Sequence, residues 1–397
     1  MFDYVIIGGG IAGLYAAYKI SHKKHVKILV LEKSPRKYLG GRMGVEIFKK
    51  TNIPIGAGIG RKNKDASLIR LLNELKIKFG EFPVTPVYAK TIQKKCELKK
   101  VFMKLKTNYD SEKDKHKTFK EYASEFLQPD EYKHFTTCSG YTDYENESAE
   151  GTLFHYGFDD NYAKWTGLSI SWRVLLDKLV DKIEKENIQC SQEVVSVEDH
   201  GDYFELMTKT GKKCLAKKVI LATTVDTVRT LLPGLNIYKQ IVGQPFIRVY
   251  GKFTKTSIPI MKEYLPVTMV VPGPIHKIIP MNPDNGVYMI AYSDNTDAMK
   301  LEKYSENNEK NRAFFCRLIE KSVGIPPNSL ELTEIIDFYW QIGTHFYKPL
   351  YNKTRKEFIR IAQRPQPNMF VVGEMISTNQ GWVEGALESV DSILDEL

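Results

Sequence analysis

Three groups of residues in this chain have types and spacings suited to binding and redox chemistry. The first is Gly8-x-Gly10-x-x-Gly13, followed 19 residues later by Glu32. Gly8 would permit a tight turn, Gly10 would let the backbone approach a pyrophosphate, and Gly13 would let a helix pack closely on a strand. Ile11 and Ala12 then open a helix whose N-terminus attracts phosphate charge, and Glu32, followed by Lys33, would accept hydrogen bonds from ribose hydroxyls. The second group is Gly40-Gly41-Arg42, where a guanidinium could pair with phosphate, with Gly56-Ala57-Gly58 as another glycine turn able to lie against a flat ring. Taken singly, either turn is also compatible with an ordinary surface loop. The third lies at the other end of the chain. There Gly373-Glu374 closes a strand and Gln380-Gly381-Trp382-Val383-Glu384-Gly385-Ala386 opens the last helix. A helix N-terminus aimed at the pyrimidine edge of a flavin would stabilise the negative charge that develops there on reduction, a need a nicotinamide does not have. The three groups together point to FAD.

Positioning these groups requires particular elements. Residues 3–7 and 27–32 read as buried strands and Ile11 to Ile20 as the helix between them, a βαβ unit. Asp65 to Lys76 reads as a helix with Leu68, Leu71, Leu72 and Leu75 on one face and Asp65 as its cap. Residues 80–165 read as mostly helical and irregular. A further helix follows Ser171, strands return at 192–198, 203–208 and 213–222, and a β-rich stretch covers 246–295. A helix is expected at 308–323, a strand at 331–339, then Met369 to Glu374 as a strand and Val383 to Leu394 as a helix. The expected class is α/β: a Rossmann-like FAD-binding domain with a discontinuous α+β substrate domain. The FAD-binding part would comprise 1–79, 188–245 and 360–397, and the substrate part 80–187 and 246–359.

Composition narrows the class further. With 397 residues, 42% hydrophobic and 26% charged, the chain has ample material for two packed cores, and no 18-residue apolar run suggests a membrane span. The motif starting at Gly8 leaves no room for a leader ahead of it, so a cytoplasmic location is expected. The five cysteines are far apart and form no C-x-x-C pair, so they are expected to be reduced thiols with no zinc or other metal site. Most of the +9 net charge comes from residues 90–120, with eleven lysines against four acids. Such a run reads first as a solvated insertion and second as a contact for an anionic surface.

The segments VIIGGGIAGL, LEKSPRKYLGGRMG and FVVGEMISTNQGWVEGALES together resemble the flavin-containing amine oxidase family, which includes monoamine, polyamine and L-amino-acid oxidases. The resemblance covers roughly 1–75, 188–253 and 336–397. It implies an FAD-dependent oxidoreductase that takes hydride from the carbon beside a small-molecule amine, with molecular oxygen as acceptor and hydrogen peroxide as product. By that resemblance Val194 would meet the adenine, Ala222, Gly373 and Ala386 would lie along the cofactor, Glu374 would meet the diphosphate or ribityl chain, and Val383 the flavin edge. Trp382 would be one of two aromatic walls flanking the amine, its partner coming from Phe346 or Tyr347; otherwise Trp382 is a core aromatic at a domain junction. No cysteine lies near 343–347, so the flavin should be held non-covalently. Where the family commonly places a lysine before flavin N5, this chain has Arg248. Arginine there could anchor a substrate carboxylate, mark weak reactivity toward oxygen, or pair with a buried acid. Related families sharing these motifs leave a desaturase, a porphyrinogen-type oxidase or a flavoprotein with a mainly binding role as alternatives.

Overall fold

A computed structural model describes residues 1–350 and 353–397. The βαβ unit forms from Phe2–Ile7, Ile11–Ser21 and Ile28–Leu31. Both strands are apolar enough to be buried on two faces, as a parallel sheet covered by helices requires. They occupy the middle of a seven-stranded sheet, in the order Ile188–Gln189, Ile28–Leu31, Phe2–Ile7, Lys213–Leu221, Phe204–Thr208 and Val194–Asp199, with Met369–Val371 pairing in parallel with Lys213–Leu221 beyond the antiparallel hairpin. The chain's first strand and its last are therefore held in one sheet by Lys213–Leu221. The helix Trp172–Ile183 packs on Ile11–Ser21, with Leu175 and Leu179 fully buried in the core that contains Leu14 and Leu72.

The helix predicted at Asp65 to Lys76 runs from Ala66 to Glu74, but Asp65 does not cap it. Its carboxylate accepts instead from the backbone N–H of Arg61 at 2.7 Å and from Arg61 Nε at 2.8 Å. The cap comes from 317 residues away, where Glu384 accepts from the backbone N–H groups of Ser67 and Leu68 at 2.8 and 2.9 Å. Two orphan helix donors are thus satisfied by the last helix of the chain, Val383–Asp391, which locks the two ends together.

A second sheet is wholly antiparallel, in the order Met269–Val270, Lys277–Asn282, Val287–Asp294, Ile241–Phe253, Leu332–Tyr347. Its last strand runs 16 residues, well past the expected end at 339. Residues 80–165 are largely helical around an aromatic core that includes Phe119, Phe135, Tyr144 and Phe158. Lysines of the basic run pair with acids of the same segment, such as Lys115 with Glu112 and Lys117 with Asp114, which suits a solvated face.

Two of the five cysteines depart from the expectation of reduced thiols. Cys96 and Cys138 form a disulfide, with Cα atoms 5.6 Å apart across a sequence separation of 42 residues. The helix Pro129–Ser139 folds back on the segment ahead of Leu98–Asn108, a tertiary juxtaposition that spacing does not reveal. Among the described residues this disulfide is also part of the one cluster with metal-ligand geometry, formed with His134. Among them too, no helix is long and apolar enough to cross a membrane.

Candidate functional site

One cavity of about 900 Å³ opens between the two sheets, large for a small-molecule site. On one side it is lined by Gly8, Gly10, Ile11, Ala12, Glu32, Lys33, Gly41, Arg42, Gly56, Ala57, Val194 and Ala222, and on the other by Gly373, Glu374, Trp382, Val383 and Ala386, with Arg248 on the wall of the second sheet. The amino-terminal glycine turn and the carboxy-terminal helix therefore meet at the same space. Gly13 and Gly58 do not line it.

The glycines differ in what they do. A Cβ on Gly13 would lie 2.0 Å from the carbonyl oxygen of Gly8, and one on Gly8 would lie 2.3 Å from that of Ala222, so both serve close backbone packing. A Cβ on Gly10 would meet nothing within 4 Å, because it would point into the cavity at the N-terminus of Ile11–Ser21. This open cradle at a helix N-terminus is where a pyrophosphate fits. Glu32 is held rigidly beside it, accepting from the backbone N–H of Gly9 at 2.6 Å and of Ser34 at 2.8 Å.

Arg42 faces the cavity, but its Nη1 also donates to the carbonyl of Gly343 at 2.7 Å and to Glu374 at 3.1 Å. Glu374 is a hub. Besides Arg42 it accepts from the His345 backbone N–H (2.8 Å), the His345 ring Nδ1 (2.9 Å) and the backbone N–H of Gly381 (3.0 Å). Burial works against its ionisation, but His345 and Arg42 with these hydrogen bonds outweigh it and hold the carboxyl down at about 2. One carboxylate thus ties the Arg42 loop, the end of the second sheet and the turn before the last helix.

Trp382 reaches the cavity with one ring face covered, since the Arg61 guanidinium carbon lies 3.8 Å from its centroid. Arg61 is itself buried between Asp65 and Asp160. The expected partner wall is not where the sequence put it. Phe346 and Tyr347 pair with Val242 and Ile241 at the far end of the 16-residue strand and lie outside the cavity. Tyr347 packs on Phe358 with ring centroids 5.1 Å apart, and its hydroxyl donates to the carbonyl of Ser377 at 3.1 Å. The unbroken strand carries both aromatics past the cavity into the core. Aromatic surface is supplied instead by Phe246, Tyr292 and Tyr141 and, earlier on the same strand, by Phe338, Tyr339 and Trp340, and Thr344 lies near the turn at Gly381.

Sequence reasoning missed a polar group in this wall. Asp143 and Asp294 both line the cavity. Asp294 accepts from the Thr142 backbone N–H at 3.1 Å and from the Thr142 hydroxyl, and Asp143 accepts from Tyr156 Oη at 2.6 Å. Burial first, and then the charge of Asp294, push the Asp143 carboxyl up. Burial brings the nearby Lys277 ammonium down to about 7 against the attraction of both acids. Tyr292 and Asp294 alternate on one strand, which put them on one face in principle, but Asp143 lies in the segment without periodicity and gave no signal.

A mixed sheet carrying a dinucleotide-type glycine turn, joined to an antiparallel sheet with a cavity between them, is a Rossmann-like two-domain architecture. The chain belongs to the flavin containing amine oxidoreductase family, whose family model matches residues 99–389, and a NAD(P)-binding Rossmann-like domain model matches 6–75. It is a flavin-dependent, amine oxidase-like oxidoreductase. It is similar to "Uncharacterized protein R188" of Acanthamoeba polyphaga mimivirus, with 22% identity over 99% of this chain and 93% of that protein. Solved structures of two engineered putrescine oxidases share its fold at 15% identity. A triple mutant redesigned for cofactor binding gives a TM-score of 0.76, and a double mutant 0.77, each over 100% of this chain and 98% of that one.

Proposed function

We propose that the chain holds FAD non-covalently and oxidises a small-molecule amine, with molecular oxygen as acceptor and hydrogen peroxide as product. The observation that carries this is the convergence of Gly10 and Val383, from opposite ends of the chain, on one cavity whose further wall is aromatic and charged. Gly10, Glu32 and Arg42 would hold the diphosphate and adenosine end, and Gly56, Ala57, Val383 and Ala386 the flavin end. Among the described residues no cysteine lines the cavity, which suits a flavin held without a covalent thioether. Bound there, FAD supplies a hydride acceptor at N5 and a route for electrons to oxygen.

The protein's own part is to bind and orient. Phe246, Tyr292 and the open side of Trp382 give the amine apolar contact and, where it is cationic, attraction to the ring faces. Burial favours the unprotonated amine, so no strong base is needed at the reacting carbon. The charged residues Arg248, Asp143 and Asp294 in the same wall favour a polar substrate over the apolar one a desaturase takes. We assign the nucleotide half to 1–79, 188–245 and 360–397 and the substrate half to 80–187 and 246–359, with Trp172–Ile183 packing across onto the nucleotide half.

The test is anaerobic mixing of the purified holoprotein with mono-, di- and polyamines and amino acids while the flavin absorption is followed. Bleaching by one class, reversed by air with release of peroxide, is the expected result. Acid precipitation should leave FAD in the supernatant. A colourless protein that cannot take up FAD, or a yellow one that no amine bleaches, refutes the proposal.

A further inference from the structure

Arg248 is a buried charge in the cavity wall with no ion-pair partner among the described residues, and the inference drawn from it rests on reading that cavity as the substrate chamber. Two other arginines have carboxylate partners: the buried Arg61 pairs with Asp65 and Asp160, and the partly buried Arg355 with Glu147 at 3.1 Å. Arg248 is only 6% exposed, yet among the described residues no carboxylate lies within ion-pair distance of it. Its Nη2 donates to Tyr292 Oη at 3.2 Å, its guanidinium carbon lies 4.4 Å from the Tyr292 ring centroid, and its Nε has no hydrogen-bond partner. Nη1 borders the Gly56-Ala57-Gly58 turn, 3.3 Å from where a Cβ on Gly58 would sit. An arginine cannot shed its proton to relieve burial, and an uncompensated buried cation is strongly unfavourable. Of the acids in the cavity wall, Asp294 is engaged by Thr142 and Asp143 by Tyr156, and Asp337 on the neighbouring strand makes no ion pair with Arg248. An anion entering the cavity from outside the chain would complete this site.

We propose that the amine substrate carries a carboxylate, received by the Arg248 guanidinium and the Tyr292 hydroxyl, so that the substrate class is an amino acid or an N-substituted amino acid and not a polyamine. The planar fork of the guanidinium matches a carboxylate in two parallel hydrogen bonds, and the rings of Phe246 and Tyr292 shield that pair from water. The register places Arg248 opposite Tyr292 and Phe246 opposite Asp294, two positions apart, so the anion-binding and acidic positions share one face of the same two strands. A zwitterion would meet both.

The test uses three probes of one shape and different charge, benzoate, benzamide and benzylamine, titrated into the holoenzyme. Visible flavin absorption and calorimetry are the readouts. Benzoate should bind at least about tenfold more tightly than benzamide, and Arg248→Met should weaken benzoate by about ten- to a hundredfold while leaving benzamide unchanged. Arg248→Lys should lie between the two. Because Arg248→Met removes an uncompensated charge, its melting temperature without ligand should equal or exceed the parent's. Equal binding of benzoate and benzamide, preference for benzylamine, or benzoate affinity untouched in both variants overturns the proposal. Calorimetry ranks the probes on any preparation. Absence of flavin therefore sinks the flavoprotein reading alone, and a yellow enzyme that is bleached by amines but indifferent to benzoate sinks the carboxylate site alone.

Discussion

Replacing Glu374 tests whether one carboxylate couples the two ends of the chain. Its Oε1 accepts from the backbone N–H of His345 and of Gly381, and its Oε2 from the His345 ring and from Arg42. In Glu374→Gln the amide oxygen can keep the two backbone donors, while the NH₂ group would face the two side-chain donors. One charge-assisted pair is lost and the donors oppose one another, a cost of about 2–3 kcal/mol. In Glu374→Ala all four donors lose their acceptor and Arg42 loses its counter-charge, so about 3–5 kcal/mol is expected. The pKa gives an independent figure. A carboxyl held at about 2 against an ordinary 4.5 corresponds to about 3 kcal/mol in favour of the ionised folded form. The folded pKa is depressed, so this stability is fully present above pH 4.5 and is lost as pH falls from 4.5 toward 2. Urea denaturation followed by tryptophan fluorescence at pH 7 should therefore rank parent, Gln and Ala in that order, with the parent–Gln gap closing in acid. The Gly381 turn leads directly into Val383, so both variants should also lose flavin more readily on dilution. A Gln variant within about 0.5 kcal/mol of the parent at pH 7, or a gap unchanged at pH 3, would refute the reasoning.

Other substitutions separate binding from folding. Gly10→Ala should fold with near-parental stability and fail to retain flavin, because its methyl group enters only the cavity; Gly13→Ala should cost about 1–3 kcal/mol or more, because its methyl meets the Gly8 carbonyl. Denaturation midpoint and flavin content measured side by side distinguish the two. Trp382→Ala removes the ring beneath Arg61 and should lower stability by about 0.5–2 kcal/mol and slow flavin reduction by amines, while Trp382→Phe should retain most of both; an alanine variant reduced at the parental rate excludes the ring from the substrate wall. Alkylation of the denatured protein should label three cysteines without reductant and five with it, and Cys138→Ser should destabilise by about 4 kcal/mol by opening a 42-residue loop. Five labelled thiols in the unreduced protein would exclude the disulfide.

Local signals were legible where the chain's chemistry is local. The glycine spacing at 8–13, the acid at Glu32 and the apolar strands around them declare a dinucleotide turn, because the turn and the helix it opens are built from adjacent residues, as where Gly13 meets the Gly8 carbonyl. The helices at Ala66–Glu74, Trp172–Ile183 and Glu309–Val323 were equally readable from apolar periodicity. What failed were statements needing distant partners. Asp65 looks like a cap, but Arg61 claims its carboxylate, and the cap comes from Glu384. The family resemblance put Phe346 and Tyr347 opposite Trp382, but a strand side chain's face and depth depend on where its strand ends, and this one does not end at 339.

By itself, then, the sequence determined the class of cofactor site and the elements that build it, since turns and periodicity are written in neighbouring residues. Only the tertiary structure decided which charges share the cavity. Asp143, Asp294 and Arg248 come from segments more than a hundred residues apart or from neighbouring strands, and whether a buried charge is paired depends on what the fold brings within a few ångströms of it.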